Sequence, residues 1–124
     1  MTNKCIFCEL PEERIHYESD LWLVVRDGFP VSPGHTLIIP KRHISDYFEI
    51  NEHEHATLQS VINITKEKLD TEFNPNGYNI GINCGEAAGQ TVFHLHVHLI
   101  PRYLGDMDDP KGGVRGVIPE KQKY

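Results

Sequence analysis

Residues 91–101, TVFHLHVHLIP, indicate the fold class of this chain, because histidines and aliphatic residues alternate strictly within them. The alternating residues are His94, Leu95, His96, Val97, His98 and Leu99. Successive side chains of an extended strand point to opposite faces. The pattern therefore predicts a strand with Phe93 and the aliphatic residues toward a core, and with three imidazoles on the other face, roughly 6.6 Å apart.

The histidine row allows three interpretations. It can be the polar face of a half-exposed strand, a metal site, or the site of a nucleophilic histidine. The first is the weakest, because three imidazoles on one rigid element are costly unless they are used. A hydrolytic metal centre usually adds carboxylates, and this stretch contains none.

A glycine-containing turn, GEAAGQT at residues 85–91, leads into the histidine row. Glycine lets the backbone approach a ligand closely, and successive peptide N–H groups in such a turn bind anions. Gly89, Gln90 and Thr91 are therefore candidate phosphate-binding residues. Such a turn is a weak signal alone, but it is a strong one next to three histidines.

Residues 89–102, GQTVFHLHVHLIPR, resemble the signature of the histidine triad (HIT) family. Two further segments are similar to that family, CIFC at 5–8 and RDGFPVSPGHTLIIPKRHI at 26–44. The resemblance covers residues 4–102. It implies an α+β fold, a five-stranded antiparallel meander sheet with one long and one short helix, and a homodimer that extends the sheet across its interface.

Length, composition and charge limit the class of protein. At 124 residues, with 39% hydrophobic and 24% charged residues, we expect a single soluble domain over 1–124. Without a long apolar run or a basic, apolar start, we expect neither a membrane span nor a signal peptide, and a cytoplasmic protein. The formal charge of −6 argues against a nucleic-acid partner.

The CxxC at residues 5–8 binds zinc, acts as a redox pair or consists of two buried thiols. The redox interpretation is weak, because the strand–helix context of a thioredoxin-like motif is absent. Zinc needs two more ligands, and the resemblance implies that His43 and His94 complete a Cys2His2 site with Cys5 and Cys8. Four protein ligands leave no position for a reacting water, so this zinc would be structural.

The loop after the first long apolar segment carries further candidates. Residues 21–26 and 35–40 are predicted strands, and the loop between them is too short for a crossover, so we expect them to pair antiparallel. The resemblance implies that Asp27 binds ribose hydroxyls, that Asn83 reaches the ribose or phosphate, and that His35 orients the triad. It also implies that Ile6, Phe7 and Leu37 line the base, although each can equally belong to the core.

A long helix should follow, capped by Asn51 and Glu54. Its predicted apolar stripe consists of Leu58, Val61, Ile62, Thr65 and Leu69. The sequence predicts a short helical turn over residues 45–50 and a further strand over residues 78–83. The tail, 103–124, is rich in glycine, proline and charge. It is either a mobile loop or an arm that orders against a partner subunit or substrate.

For the chemistry, the resemblance implies a hydrolase of adenine nucleotides that works through a covalent nucleotidyl-histidine. His96 would be the nucleophile, with His98, Gln90 and Thr91 beside the α-phosphate and His35 in support. The substrate is either a dinucleoside polyphosphate or a nucleoside phosphoramidate. The LIPR ending of the motif favours the first, and Asp27 with Asn83 the second. From another class, the chain can be a nucleotide- or zinc-binding interaction module with little turnover.

Overall fold

The computed structural model describes residues 5–124, which form one antiparallel sheet and one long helix. The strands are β1 (Ile15–Glu18), β2 (Trp22–Arg26), β3 (Thr36–Pro40), β4 (Gly77–Gly81) and β5 (Val97–Arg102), and the helix is α1 (Glu52–Phe73). The strand order is β1-β2-β3-β5-β4. The predicted five-stranded α+β fold is confirmed, while residue 4, the first of the predicted core, lies outside the described residues.

The two apolar segments around the loop at residues 27–35 pair as predicted. β2 and β3 are antiparallel, from Trp22 opposite Pro40 to Arg26 opposite Thr36. Every residue of β3 is buried, as a continuous apolar run in the middle of a sheet requires. The Asp27 N–H donates to the carbonyl of His35 at 3.0 Å, so the loop holds these two candidate site residues together.

β1 is the strand that the sequence did not indicate. It has four residues, IHYE, and its pairing with β2 shifts register between Ile15 and Tyr17. Its burial alternates between half-buried and exposed residues. This alternation spans only four residues, which is too short to indicate a strand from the sequence alone, and only the pairing with β2 establishes it as one.

α1 begins and ends as its sequence predicts. The Asn51 side chain accepts from the Glu54 N–H, the Glu54 carboxylate accepts from the Asn51 N–H, and Asn74 ends the helix in the left-handed conformation at φ 50°. Glu54 is also 1% exposed and holds the Arg42 guanidinium by two hydrogen bonds of 3.1 and 2.8 Å. The predicted short second helix is a 3-10 turn, Tyr47–Glu49.

One face of α1 covers the sheet. Leu58, Val61, Thr65 and Leu69 are buried as predicted, and Ile62 is partly buried against the same core. The main core unites α1 and the sheet through Trp22, Val24, Ile38, Ile44, Leu58, Val61, Leu95 and Val97. Within residues 5–124, no helix combines the length and the apolar character that a bilayer span requires.

The path of the chain places the histidine segment in the middle of the sheet. α1 carries the chain from β3 to the edge strand β4, and β5 then returns between β3 and β4. Consecutive strands therefore pair up to β3, where the helix interrupts the meander. Hydrogen bonds on both sides of β5 give its side chains fixed positions.

The tail forms short turns. Residues Gly113–Val117 and Pro119–Lys121 are 3-10 helices, joined where the Arg115 guanidinium donates to the Gln122 carbonyl. The side chains of Val114, Val117 and Ile118 remain largely exposed. That a partner subunit covers them stays a prediction.

Candidate functional site

The three histidines do not form the single row that alternation predicts. β5 begins only at Val97, and residues 91–96 are irregular. The His94 side chain is completely buried, whereas the rings of His96 and His98 lie side by side, with centroids 5.1 Å apart. Phe93, predicted to face the core, is 48% exposed, so that prediction is wrong; Leu95, Val97 and Leu99 are buried as expected.

His94 points into a cluster with the three other predicted metal ligands. The ligand atoms of Cys5, Cys8, His43 and His94 all lie within 4.8 Å of one another. The Cys8 Sγ is 3.2 Å from the His43 Nδ1, and the Cys5 Sγ is 3.4 Å from the His94 Nδ1. Residues separated by as many as 89 positions in the chain thus converge on one point.

The cluster has the donor chemistry of a tetrahedral zinc site. Two thiolates and two imidazole nitrogens form one of the usual ligand sets of structural zinc. The Nδ1 atoms of His43 and His94 face each other at 3.0 Å. The His94 Nε2 donates to the Pro40 carbonyl at 2.8 Å, which leaves Nδ1 free to ligate, and ligating histidines commonly donate their second nitrogen in this way. The four residues therefore fit the ion.

His96 and His98 line a different part of the molecule, an open cleft of about 460 Å³. Most of the residues predicted to bind nucleotide line this cleft with them, namely Ile6, Phe7, Asp27, Leu37, Asn83, Gly89 and Thr91, as does His35, which was predicted to orient the triad. Apolar side chains of the CxxC turn and β3 thus share one cleft with the acidic, amide and imidazole groups. Such a lining suits a ligand that has an apolar ring at one end and anionic groups at the other.

The tautomer of His96 follows from its backbone contact. Its Nδ1 lies 2.9 Å from the carbonyl oxygen of His94. A carbonyl only accepts hydrogen bonds, so Nδ1 carries the proton and Nε2 of the neutral ring carries a lone pair. The Phe7 ring packs on the imidazole at a centroid distance of 5.0 Å. His96 therefore offers an oriented nucleophilic nitrogen.

His98 has the opposite tautomer because of His35. The Val31 N–H donates to the His35 Nδ1 at 3.1 Å, which places the His35 proton on Nε2. That nitrogen is 2.9 Å from the His98 Nδ1, so it donates there, and the His98 proton is on Nε2. The Nε2 of His98 is thus a hydrogen-bond donor, whereas the Nε2 of His96 carries a lone pair.

His98 also stays neutral. Burial is the main cause, and the neighbouring rings of His96 and His35 add to it, so that the pKa of His98 falls to about 4 despite the opposing Asp27. Burial likewise lowers the pKa of His35. Near neutral pH His35 and His98 are therefore uncharged, and the hydrogen bond between them defines which nitrogen donates.

Asp27, His35 and His98 form a second group of possible metal ligands. The Asp27 Oδ2 lies 3.3 Å from the His35 Nε2 and 3.9 Å from the His98 Nδ1. However, the Val31 N–H already occupies the His35 Nδ1, which keeps Nε2 protonated and unable to ligate a metal. This group is better described as a hydrogen-bonded chain that ends at His98.

Gln90 lies beneath the cleft, whereas sequence reasoning placed it beside the phosphate. It is 3% exposed, and its Oε1 accepts from the Gly85 N–H at 2.8 Å. Its Nε2 donates to the carbonyls of Ser45 and Val92 at 2.6 and 3.1 Å. Both polar atoms of the amide therefore hold the turn in place.

The turn also presents fewer free N–H groups than predicted. The N–H groups of Ala88, Gly89 and Gln90 donate to carbonyls inside the turn, and that of Gly85 donates to Gln90. The prediction that successive free N–H groups form a concavity over the whole turn is therefore wrong. Gly89, at φ +93°, and Thr91 are the predicted turn residues that line the cleft.

Several cleft residues had no sequence signal. Arg14, Gly28, Phe29, Val31 and Val92 also line it. Arg14 is anchored through its Nη2 to the carbonyl of Arg26 at 2.9 Å, a contact that depends on the unpredicted β1. The role of Val31 lies in its backbone N–H, which a sequence pattern does not reveal.

Known proteins share this architecture. The HIT domain family matches residues 9–105. A HIT family protein from Bacillus anthracis is 40% identical, with a TM-score of 0.78 over 86% of this chain and 78% of that one. A zinc-bound histidine triad family protein from Mycobacterium smegmatis is 38% identical, with a TM-score of 0.73 over 82% and 77%.

A relative with a named activity is adenylylsulfatase HINT3 of Arabidopsis thaliana. It is 35% identical over 107 residues, which cover 82% of this chain and 54% of that protein.

Proposed function

Because this chain belongs to the histidine triad (HIT) family, we propose that it is a nucleotide hydrolase that works through a covalent nucleotidyl-histidine on His96. The observation that carries the proposal is the pair of opposite tautomers in one cleft. His96 has a free Nε2 lone pair, and His98, 5.1 Å away between ring centroids, has an Nε2–H donor. A nucleophile and a donor are the two groups that phosphorus substitution requires.

In the first step the His96 Nε2 attacks the α-phosphorus. A P–N bond forms, and the bond from phosphorus to the leaving group breaks, with its electron pair departing on that group. The His94 carbonyl accepts the Nδ1–H of His96 and stabilises the positive charge that develops on the ring. In the second step water attacks phosphorus, the P–N bond breaks, and the nucleoside monophosphate leaves.

His98 stabilises the phosphate oxygens during both steps. Its Nε2–H is held in place by the chain from Val31 through His35. As a neutral donor it does not need to lose a proton before it acts, and it does not compete with His96 as a nucleophile. Gln90 holds the turn that carries Gly89 and Thr91, and we assign it a positioning role.

The substrate that we propose is an adenine nucleotide in which a phosphoanhydride or P–N bond joins the α-phosphate to a leaving group. Ile6, Phe7 and Leu37 would contact the base, and Asp27 and Asn83 the ribose or phosphate. The adenylylsulfatase activity named for the Arabidopsis relative supports transfer of a nucleotidyl group. Dinucleoside polyphosphates and phosphoramidates remain the two candidate classes.

Zinc at Cys5, Cys8, His43 and His94 would be structural, and the zinc-bound relative supports this assignment. When bound, the ion would join the start of the chain to the segments at residues 40–44 and 94–98. Four protein ligands leave no coordination position for substrate.

We also propose that two copies pair along β4. This strand is at the edge of the sheet, and its Ile80 side chain is 50% exposed. An edge strand with an exposed apolar residue readily accepts a second strand. Light scattering coupled to size-exclusion chromatography should give twice the mass of one chain, and Ile80→Lys should shift it toward the monomer.

The proposed activity is tested by incubating zinc-loaded protein with diadenosine tetraphosphate and, separately, with adenosine 5′-phosphoramidate. We expect release of AMP from at least one of them, and the faster substrate identifies the class. Release should continue after brief treatment with a chelator. If neither is cleaved although AMP binds, the chain is a nucleotide-binding module.

A further inference from the structure

We propose that the CxxC turn at residues 5–8 is a redox switch for the nucleotide cleft: a Cys5–Cys8 disulfide formed by a peroxide displaces zinc and weakens nucleotide binding. This inference rests on the proposed function, because it concerns the affinity of the same cleft. The two cysteines and the two residues between them belong to different sites. Cys5 and Cys8 hold the metal cluster, whereas Ile6 and Phe7 line the cleft.

The turn is short enough that its two functions are mechanically coupled. The Cys8 N–H donates to the Cys5 carbonyl at 3.1 Å, so four residues form one closed turn. Phe7 is buried and packs against Val25, Leu37 and Ile39. The turn that carries both sulfur atoms therefore also carries part of the wall of the cleft.

A second connection runs through His94. Its side-chain Nδ1 points into the metal cluster, while its backbone carbonyl accepts the Nδ1–H of His96 at 2.9 Å. The Phe7 ring contacts both imidazoles, at centroid distances of 6.0 Å to His94 and 5.0 Å to His96. The cluster thus supports both the apolar wall and the proposed nucleophile.

The zinc-bound and disulfide states require different positions of the sulfurs. Two thiolates about 2.3 Å from one tetrahedral ion are about 3.8 Å apart. In a disulfide the same atoms are about 2.05 Å apart. The distance between the two sulfurs must therefore shorten by more than 1.5 Å between these states, and a bridged sulfur no longer serves as a thiolate ligand.

The thiols are accessible to an oxidant. Cys8 is exposed, and Cys5 is partly exposed. Peroxide first oxidises the Cys8 sulfur to a sulfenic acid and releases water. The Cys5 sulfur then attacks it, the S–S bond forms, and a second water leaves, so that one peroxide accepts two electrons from two thiols. Zinc dissociates as the ion, and a dithiol reductant reverses the bridge.

The test compares AMP binding by reduced and by oxidised protein. Zinc-loaded wild type is treated with hydrogen peroxide, the bridge is mapped by peptide mass spectrometry, and zinc release is followed with a chromogenic chelator. Isothermal titration calorimetry then measures the Kd for AMP. We expect zinc release to match disulfide formation, and the Kd to rise about fivefold or more, with recovery after dithiothreitol and zinc.

The third cysteine, Cys84, supplies a matched control, because it lies outside the turn and is also partly exposed. Cys84→Ser should respond to peroxide as the wild type does. Cys8→Ser should bind AMP with the same Kd before and after peroxide, and its circular dichroism spectrum checks that it is folded.

Each outcome has one meaning. An unchanged Kd in wild type that carries the Cys5–Cys8 bridge overturns the switch but leaves the proposed function in place. A loss of affinity that Cys84→Ser abolishes also overturns it. If reduced, zinc-loaded wild type binds no AMP, the nucleotide cleft itself is wrong, and the switch falls with it.

Discussion

The metal cluster and the cleft use histidines from the same five residues, 94–98, yet the two regions are built in opposite ways. In the cluster, His94 is fully buried and faces two thiols and another imidazole. In the cleft, His96 and His98 border open space beside Asp27 and Asn83. The residue type alone therefore does not decide whether a histidine is a metal ligand or a catalyst. Its neighbours decide which nitrogen has the lone pair and where that nitrogen points.

The comparison predicts different consequences for loss of a side chain on each side. Loss of a side chain in the cleft should abolish turnover while the protein stays folded. On the cluster side, the fold should weaken while the chemistry persists in the molecules that remain folded.

The largest effect is expected for His96→Ala. Without the nucleophilic Nε2, turnover of the better substrate should fall by about a thousandfold or more, and the melting temperature should change little because the ring is partly exposed. Steady-state AMP release measures the first and thermal denaturation the second. His55→Ala, which removes an exposed imidazole from α1, is the matched control. Near-normal turnover by His96→Ala would contradict the cleft assignment.

Cys8→Ser should give the converse result. Loss of one zinc ligand removes the stabilisation by bound metal, about 4 kcal/mol if zinc exceeds its Kd a thousandfold. Chemical denaturation in the presence of zinc measures this change, and turnover per folded molecule should fall by less than tenfold. Cys84→Ser should keep wild-type stability. If the two variants are equally stable and both bind zinc, the cluster is not the metal site.

Gln90 distinguishes support of the cleft from direct action in it. Gln90→Ala removes three hydrogen bonds and leaves backbone groups of the half-buried residues Gly85 and Ser45 unpaired, at a cost of about 2 kcal/mol. We expect stability and kcat to fall together. A fall in kcat with unchanged free energy of unfolding would instead show that the amide acts on substrate or water.

The smallest effect concerns pH. The pKa of His98 falls to about 4 in the folded protein, mainly through burial, while it stays near 6.5 in the unfolded chain. The unfolded state therefore binds more protons between these values, so stability is complete above about pH 6.5 and decreases as the pH falls toward 4.

This contribution can be measured with one variant. Allowing for the 21% exposure of the His98 side chain, wild type should lose about 2 kcal/mol more than His98→Gln between pH 7 and pH 4.5. Urea denaturation at both pH values gives the difference. Equal losses would mean that His98 is already protonated or solvated like an exposed histidine.

Much of this architecture could be predicted because it depends on local rules. The cap of α1 at Asn51 and Glu54, and the paired apolar strands β2 and β3, follow from nearby residues and are confirmed. β1 was missed because an alternation of only four residues, IHYE, is too short to indicate a strand. The predicted orientation of Phe93 was wrong because it assumed strand alternation for four residues before β5, which begins at Val97.

The site was predictable only as a set of residue types. The sequence and its family resemblance indicated which residues meet, but not their hydrogen-bonding roles. The Val31 N–H fixes the proton of His35, and the His94 carbonyl fixes that of His96. Both are backbone groups, which every residue has, so composition and spacing have no information about them. The burial of the Gln90 amide against backbone groups could not be predicted for the same reason.

Detection of the covalent intermediate tests whether His96 is the nucleophile. Zinc-loaded protein is mixed with excess substrate, quenched in base, where a phosphoramidate survives, and digested for peptide mass spectrometry. We expect a nucleotidyl group on His96 in wild type and in His55→Ala, and none in His96→Ala. Turnover without any adduct, or an adduct on His98 or His94, would mean that His96 is not the nucleophile.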